Sequence, residues 1–188
     1  MAGGDPLDTV PVRRISVVGN SGSGKTTLSR ALAAALGVPH LELDSIFHQP
    51  GWQPLDPTIF VERVTEFTEG PGWVVDGNYS AVRDVVWSRA DTVIWLDLPR
   101  RRVMRQVIWR TLRRMVTKAE LWNGNREQWR NLIGPPGESI ILWAWTKHGS
   151  YRDRYLAAQA DPANGHLRFV CVRSGRQMAA LLREAAPS

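Results

Sequence analysis

Gly19-Asn20-Ser21-Gly22-Ser23-Gly24-Lys25-Thr26 fills every fixed position of the pattern G-x-x-x-x-G-K-[ST]. Glycines at 19, 22 and 24 let the backbone turn so that several N–H groups face one anion. The lysine ammonium then reaches the β- and γ-phosphates of a nucleotide, and the threonine hydroxyl ligates Mg²⁺. The whole run from Gly19 through Asn20, Ser21, Gly22, Ser23, Gly24, Lys25, Thr26 and Thr27 is therefore the candidate nucleotide cradle. Two carboxylates stand at the ends of other apolar runs. Asp76 closes Trp73-Val74-Val75-Asp76 and is a candidate second partner for the metal opposite Thr26. Asp97 is its rival, but Pro99 and a run of arginines follow it, so an ion pair suits it better. Asp44 follows a short apolar run and is a candidate to orient or deprotonate an acceptor hydroxyl. Helix capping or a turn is the structural alternative for each aspartate. His48 and Trp52 share the loop after Asp44, where Trp52 could stack on a flat ring or simply pack.

Arginine supplies the remaining chemistry. From Pro99 to Asn131, nine arginines and Lys118 face only Glu120 and Glu127, an excess of eight positive charges. The chain as a whole is +6, so its basicity belongs to this region. Arg105, Arg110 and Arg113 lie on one predicted helix, Arg126 and Arg130 in the segment after it, and Arg152 and Arg154 late in the next helix. Guanidinium groups neutralise the oxygens of a phosphoryl group in transfer. A solvated basic face accounts for at least half of them. A basic segment also suits nucleic acid, but no helix-turn-helix, zinc pattern or RNA-binding aromatic motif accompanies it.

These residues need positioning elements. The patterns predict strands at 14–18, 40–43, 73–76, 91–98 and 166–172. They predict helices at 25–36, 58–69, 80–89 with Ser80 as cap, 100–118, 138–160 and 175–185. A Pro- and Gly-rich loop is expected from 45 to 57, and 119–136 reads as irregular. Apolar strands alternating with helices imply an α/β fold with a parallel sheet covered on both faces. Its ligands bind at the carboxyl ends of the strands, where Gly19, Asp44 and Asp76 converge. Residues 1–12 read as a flexible tail, and 13–188 as a single domain with a lid at about 118–136 that closes over the triphosphate. The loop Val170 to Gly175, with Arg173, is placed to border the adenine. The 188 residues hold no apolar run long enough to span a membrane, and Met1 to Pro11 lacks the pattern of a secretory signal. Cys171 is the single cysteine and reads as a small core residue. A cytoplasmic location with no membrane contact is expected; the sequence leaves the oligomeric state open.

The P-loop near the N-terminus, the order of elements, Asp76-Gly77 and the arginine-rich helix pair resemble the adenylate kinase-like nucleoside and nucleotide kinases. More narrowly, Asp44 with Trp52, then Val75-Asp76-Gly77-Asn78-Tyr79 and Gly124-Asn125-Arg126-Glu127 resemble bacterial proteins labelled topology modulation proteins. The resemblance implies a P-loop NTPase three-layer αβα sandwich with five parallel strands in the order 2-3-1-4-5 and a helical arginine-rich lid. It implies ATP and Mg²⁺ as cofactors and phosphoryl transfer to a small-molecule acceptor. Lys25, Asp44, Arg110 and Arg113 become the catalytic residues, Arg105 and Arg173 join the P-loop at the nucleotide, and Thr26 with Asp76 hold the metal. Asn78-Tyr79 stands where adenylate kinases carry the arginine that grips an acceptor monophosphate. The departure favours a smaller or unphosphorylated acceptor. An ATP-dependent regulatory or nucleic-acid-associated protein is the alternative, and an NTPase without acceptor a third.

Overall fold

Successive side chains of a strand point to opposite faces of its sheet, and five apolar runs of this chain use that to build two cores. A computed structural model describes residues 13–117, 120–125 and 140–185. The strands are β1 (Arg14–Gly19), β2 (His40–Glu42), β3 (Trp73–Asp76), β4 (Thr92–Leu96) and β5 (Arg168–Val172). All are parallel, in the order β2-β3-β1-β4-β5. The helices are α1 (Lys25–Leu36), α2 (Leu43–Phe47), α3 (Pro57–Phe67), α4 (Ser80–Arg89), α5 (Arg100–Thr117), α6 (Ile140–Ala160) and α7 (Gly175–Ala185).

Val18, Val75, Val93 and Trp95 face one side of the sheet, with Phe60 and Val64 of α3, Val86 and Trp87 of α4 and Tyr155 of α6. Ile15, Val17, Val74, Ile94 and Leu96 face the other, against Leu28 and Leu32 of α1 and Met178 and Leu181 of α7. The result is a three-layer α/β sandwich. Each fully buried aliphatic side chain contributes about 1.5–3 kcal/mol of transfer free energy. The strand order reverses at β1, which lies between β3 and β4. That reversal opens a crevice at the carboxyl edge, directly where the glycine-rich loop leaves β1.

Local chemistry sets the boundaries. Asp56 caps α3 by accepting hydrogen bonds from the backbone N–H groups of Thr58 (2.9 Å) and Ile59 (3.2 Å), and Pro57 fills the first turn. Gly37 ends α1 in the left-handed conformation (φ 65°). The segment expected to be a loop from 45 to 57 instead carries α2 and a 3₁₀ turn, Pro50–Trp52. Its Pro and Gly content concealed a helix too short to show periodicity. Tyr79, not Ser80, holds the cap position of α4, and no side chain caps that helix. Cys171 packs half-buried on the core, and burial raises its thiol pKa. Among the described residues no helix is long and apolar enough to cross a membrane. The expected tail, 1–12, lies outside the described residues, as does most of the expected lid, including Arg126 and Arg130.

Candidate active site

The loop from Gly19 to Gly24 wraps the start of α1. Gly24 precedes the helix in a left-handed conformation, and no side chain caps the first turn. Helix-start N–H groups without side-chain partners, at the positive end of a macrodipole, are what an anion meets. At Gly22 φ is +74°, and an added Cβ would collide with Val107 of α5, so only glycine fits. The Ser23 hydroxyl is buried with no hydrogen-bond partner among the described residues. An orphaned donor inside a ring of glycines fits a polyphosphate.

The Lys25 ammonium is tucked under this loop, donating to the carbonyls of Gly19 (3.0 Å) and Asn20 (3.1 Å). Burial lowers its pKa first of all; Asp44, Asp76 and Glu42 pull it upward, and Arg110 pushes it down. Three carboxylates and a guanidinium from four different elements thus surround one ammonium. The Arg110 Nη2 donates to Ser21 Oγ at 3.3 Å, tying α5 to the phosphate loop.

Glu42 was not a candidate in the sequence. It ends β2 in register with Asp76 of β3, and its Oε1 accepts from the Thr26 hydroxyl at 3.0 Å. Its Oε2 pairs with Arg30 at 3.0 Å. Asp76 is buried, and its Oδ2 lies 2.9 Å from His40 Nε2. Gly77, at φ +144°, lets Leu43 pack close; an added Cβ there would lie 2.8 Å from Leu43 Cβ. That close packing keeps the ends of β2 and β3 together. Among the described residues no cluster of three or more His, Cys, Asp or Glu forms a metal cage. One hydroxyl with two nearby carboxylates is the donor set for a Mg²⁺ that keeps waters and takes phosphate oxygens. The residues fit that ion.

Asp44, in the first turn of α2, accepts a 2.6 Å hydrogen bond from the Tyr79 hydroxyl at Oδ1. Burial and the negative Asp44 raise the Tyr79 pKa, so the phenol keeps its proton. Oδ2 of Asp44 makes no hydrogen bond among the described residues. His48 Nε2 lies 3.5 Å from the same hydroxyl. Burial pushes the His48 imidazole below its ordinary 6.5, outweighing the pull of Asp44, so the ring is neutral at pH 7. The unfolded chain therefore takes up this proton near 6.5 and the folded chain only at lower pH. Stability falls as pH drops below 6.5, and His48→Gln is expected to flatten that part of the profile in urea unfolding at pH 7.5 and 5.5.

Asn78 holds both backbone groups of one residue, Gly19. Its Oδ1 accepts from the Gly19 N–H (3.1 Å) and its Nδ2 donates to the Gly19 carbonyl (2.5 Å). The same Oδ1 accepts from the buried Tyr155 hydroxyl of α6 at 2.9 Å. Loss of such buried bonds costs about 1–3 kcal/mol. Asn78→Ala is expected to lower stability by about that amount and to weaken ATP binding, because Gly19 opens the loop. Asn78→Asp, which cannot donate to the Gly19 carbonyl, is expected to weaken ATP binding too. Urea unfolding and nucleotide titration read the two effects.

The structure does not bring every candidate together. Arg105 and Arg113 are exposed on α5, and Thr27 is exposed on α1. Arg173 pairs with Asp97 (3.5 Å), which also faces Arg152 at 3.8 Å. The guanidinium lying against Gly175 at the end of β5 belongs to Arg102.

No family profile and no curated protein matches the chain. Among solved structures, a gluconokinase from Sinorhizobium meliloti 1021 aligns over 93% of this chain and 89% of its own at 18% identity, with a TM-score of 0.49. Shikimate kinase from Acinetobacter baumannii, solved with shikimate, aligns over 92% of this chain and 90% of its own, at 18% identity and a TM-score of 0.54. The chain shares its fold with that shikimate kinase. At this identity the likeness speaks for fold alone, and no match supports the narrower topology modulation label.

Proposed function

We propose that the protein is an ATP-dependent small-molecule kinase. The observation that carries this reading is the convergence on Lys25 of the glycine loop, Arg110, the Thr26–Glu42–Asp76 group and Asp44. Shikimate kinase shares the fold and is by name a kinase, which agrees with the reading. Fold does not fix function, so the weight rests on the residues.

The loop amides and Lys25 bind and orient the triphosphate, and Arg110 reaches the same loop from α5. Thr26 and Glu42, with Asp76 on the neighbouring strand, would hold Mg²⁺, which would supply neutralisation of the phosphate charge. Asp44 Oδ2 accepts the acceptor's hydroxyl proton as its oxygen bonds to the γ-phosphorus. The bond from that phosphorus to the β–γ bridging oxygen breaks, and ADP leaves. Tyr79 fixes the Asp44 carboxylate by occupying Oδ1. Arg102 and the turn at Arg173 to Gly175 border the adenine. The test is ADP release from Mg-ATP with and without hydroxylated metabolites. Acceptor-dependent release supports the proposal, and acceptor-independent hydrolysis leaves only an NTPase.

One observation favours a second reading. The exposed side of α5 presents Arg101, Arg105 and Arg113 together with Trp109, which is 68% exposed. A nucleic-acid-associated protein would use such a face, and its binding would weaken steeply with salt. Salt-sensitive DNA binding without acceptor-dependent ADP release would select it.

A further inference from the structure

The surroundings of Asp44 are assembled from stretches distant in sequence. Asn125 donates to the Gln49 carbonyl (2.9 Å) and accepts from the Trp52 N–H (3.0 Å). Asn123, in a left-handed conformation at φ 55°, donates to the carbonyls of Ser45 (3.2 Å) and His48 (2.6 Å). These amides latch the 121–125 turn onto the loop that follows Asp44. Trp122 stacks on His48 at 5.9 Å with planes 23° apart, and Trp52 meets the same imidazole edge-on at 5.2 Å. Both indoles are only half-buried. The Tyr79 hydroxyl, held by Asp44 Oδ1, lies 3.5 Å from the same imidazole.

Its charge is one-sided. Residues 43–53, 77–79 and 121–125 contain no lysine or arginine. Among the described residues, no lysine or arginine forms an ion pair with Asp44. The cations nearby have other places. Lys25 lies under the phosphate loop, Arg110 reaches Ser21, and Arg30 pairs with Glu42. Arg83 lies over the Trp87 ring at 5.8 Å and, with Asn78, Tyr79 and Tyr155, lines a cavity of about 20 Å³. That is the space of one water molecule, too small for a phosphate or a carboxylate.

We propose that the phosphoryl acceptor is an uncharged hydroxyl-bearing ring, the chemistry of a free sugar or a nucleoside, a narrowing that rests on the kinase reading above. An acceptor bearing a phosphate or carboxylate meets a carboxylate that, among the described residues, no lysine or arginine pairs with, while Lys25 and Arg110 are taken up by the phosphate loop. An uncharged ring lays its apolar face on Trp52 or Trp122 and gives one hydroxyl to Asp44 Oδ2.

The test uses the full chain with Mg-ATP and acceptors that keep the same ring and differ chiefly in charge: adenosine and its 3′-monophosphate, thymidine and its 3′-monophosphate, glucose and glucuronate. ADP and the mass of the phosphorylated product are read. The uncharged member of at least one pair is expected to exceed its anionic twin at least about tenfold in kcat/KM. Turnover of the nucleosides or of glucose tells the two sources apart. Trp52→Leu is expected to raise that acceptor's KM about tenfold, with the KM for ATP within about twofold. Preference for an anionic twin overturns the proposal, and loss of that preference in Arg126→Ala or Arg130→Ala would identify the anion's partner. Turnover of neither twin by protein that binds Mg-ATP also overturns it. Absence of Mg-ATP binding instead removes the kinase reading on which it rests.

Discussion

Lys25→Ala is expected to leave a folded protein that no longer turns over ATP. The loss is at least about 10³-fold in kcat/KM, the order that one charged group on a transferring phosphoryl contributes. The fold survives for a reason visible at the residue. Burial disfavours the Lys25 charge more than Asp44, Asp76 and Glu42 favour it, so its pKa lies below the usual 10.5. A lysine whose folded pKa is depressed makes the folded state bind its proton less readily than the unfolded chain. At any pH below the ordinary 10.5 that difference counts against the fold. Removing the group relieves it, which offsets the two hydrogen bonds lost at Gly19 and Asn20. Thermal unfolding should therefore change by only a few degrees while activity disappears. Activity retained in the variant would remove Lys25 from the site.

Asp44→Asn separates the two substrates. Asparagine can still accept the Tyr79 hydrogen bond, so the α2 turn keeps its contact with the start of α4. It cannot take a proton from an acceptor hydroxyl. Transfer is expected to fall about 10²–10⁴-fold, the range for a lost general base. ATP binding should hold or tighten, because a negative charge near Lys25 and the phosphates is gone. Single-turnover transfer and nucleotide titration on the same preparation read both quantities. An equal fall in both would give Asp44 a structural role only.

The sequence made legible what local chemistry dictates. The glycine loop, α1, β3 and α7 carry their own start and stop residues, and their limits agree with the sequence patterns. Partners distant in sequence were harder to see. Asn78 stood out only as a polar residue, because its bonds to Gly19 span 59 positions. Glu42 was overlooked although a signal existed: Glu42-Leu43-Asp44 sets two carboxylates two residues apart at a strand's end. Arginine density hid which guanidinium faces the loop. The buried stripe Val103, Val107 and Thr111 orients α5. Arg110, one residue from Thr111, lies beside that stripe, whereas Arg105 and Arg113 are turned to solvent. The latch between 121–125 and the Asp44 loop depends on two asparagines and an aromatic cluster that no short motif announces.

The most direct measurement is calorimetric titration of the full chain, with Mg²⁺ present, by a non-hydrolysable ATP analogue. A saturable heat at one site per chain is expected, absent or greatly weakened in Lys25→Ala. Folded wild-type protein that gives no heat with the analogue would contradict the assignment of the Gly19–Thr26 loop as a nucleotide site, and with it the kinase.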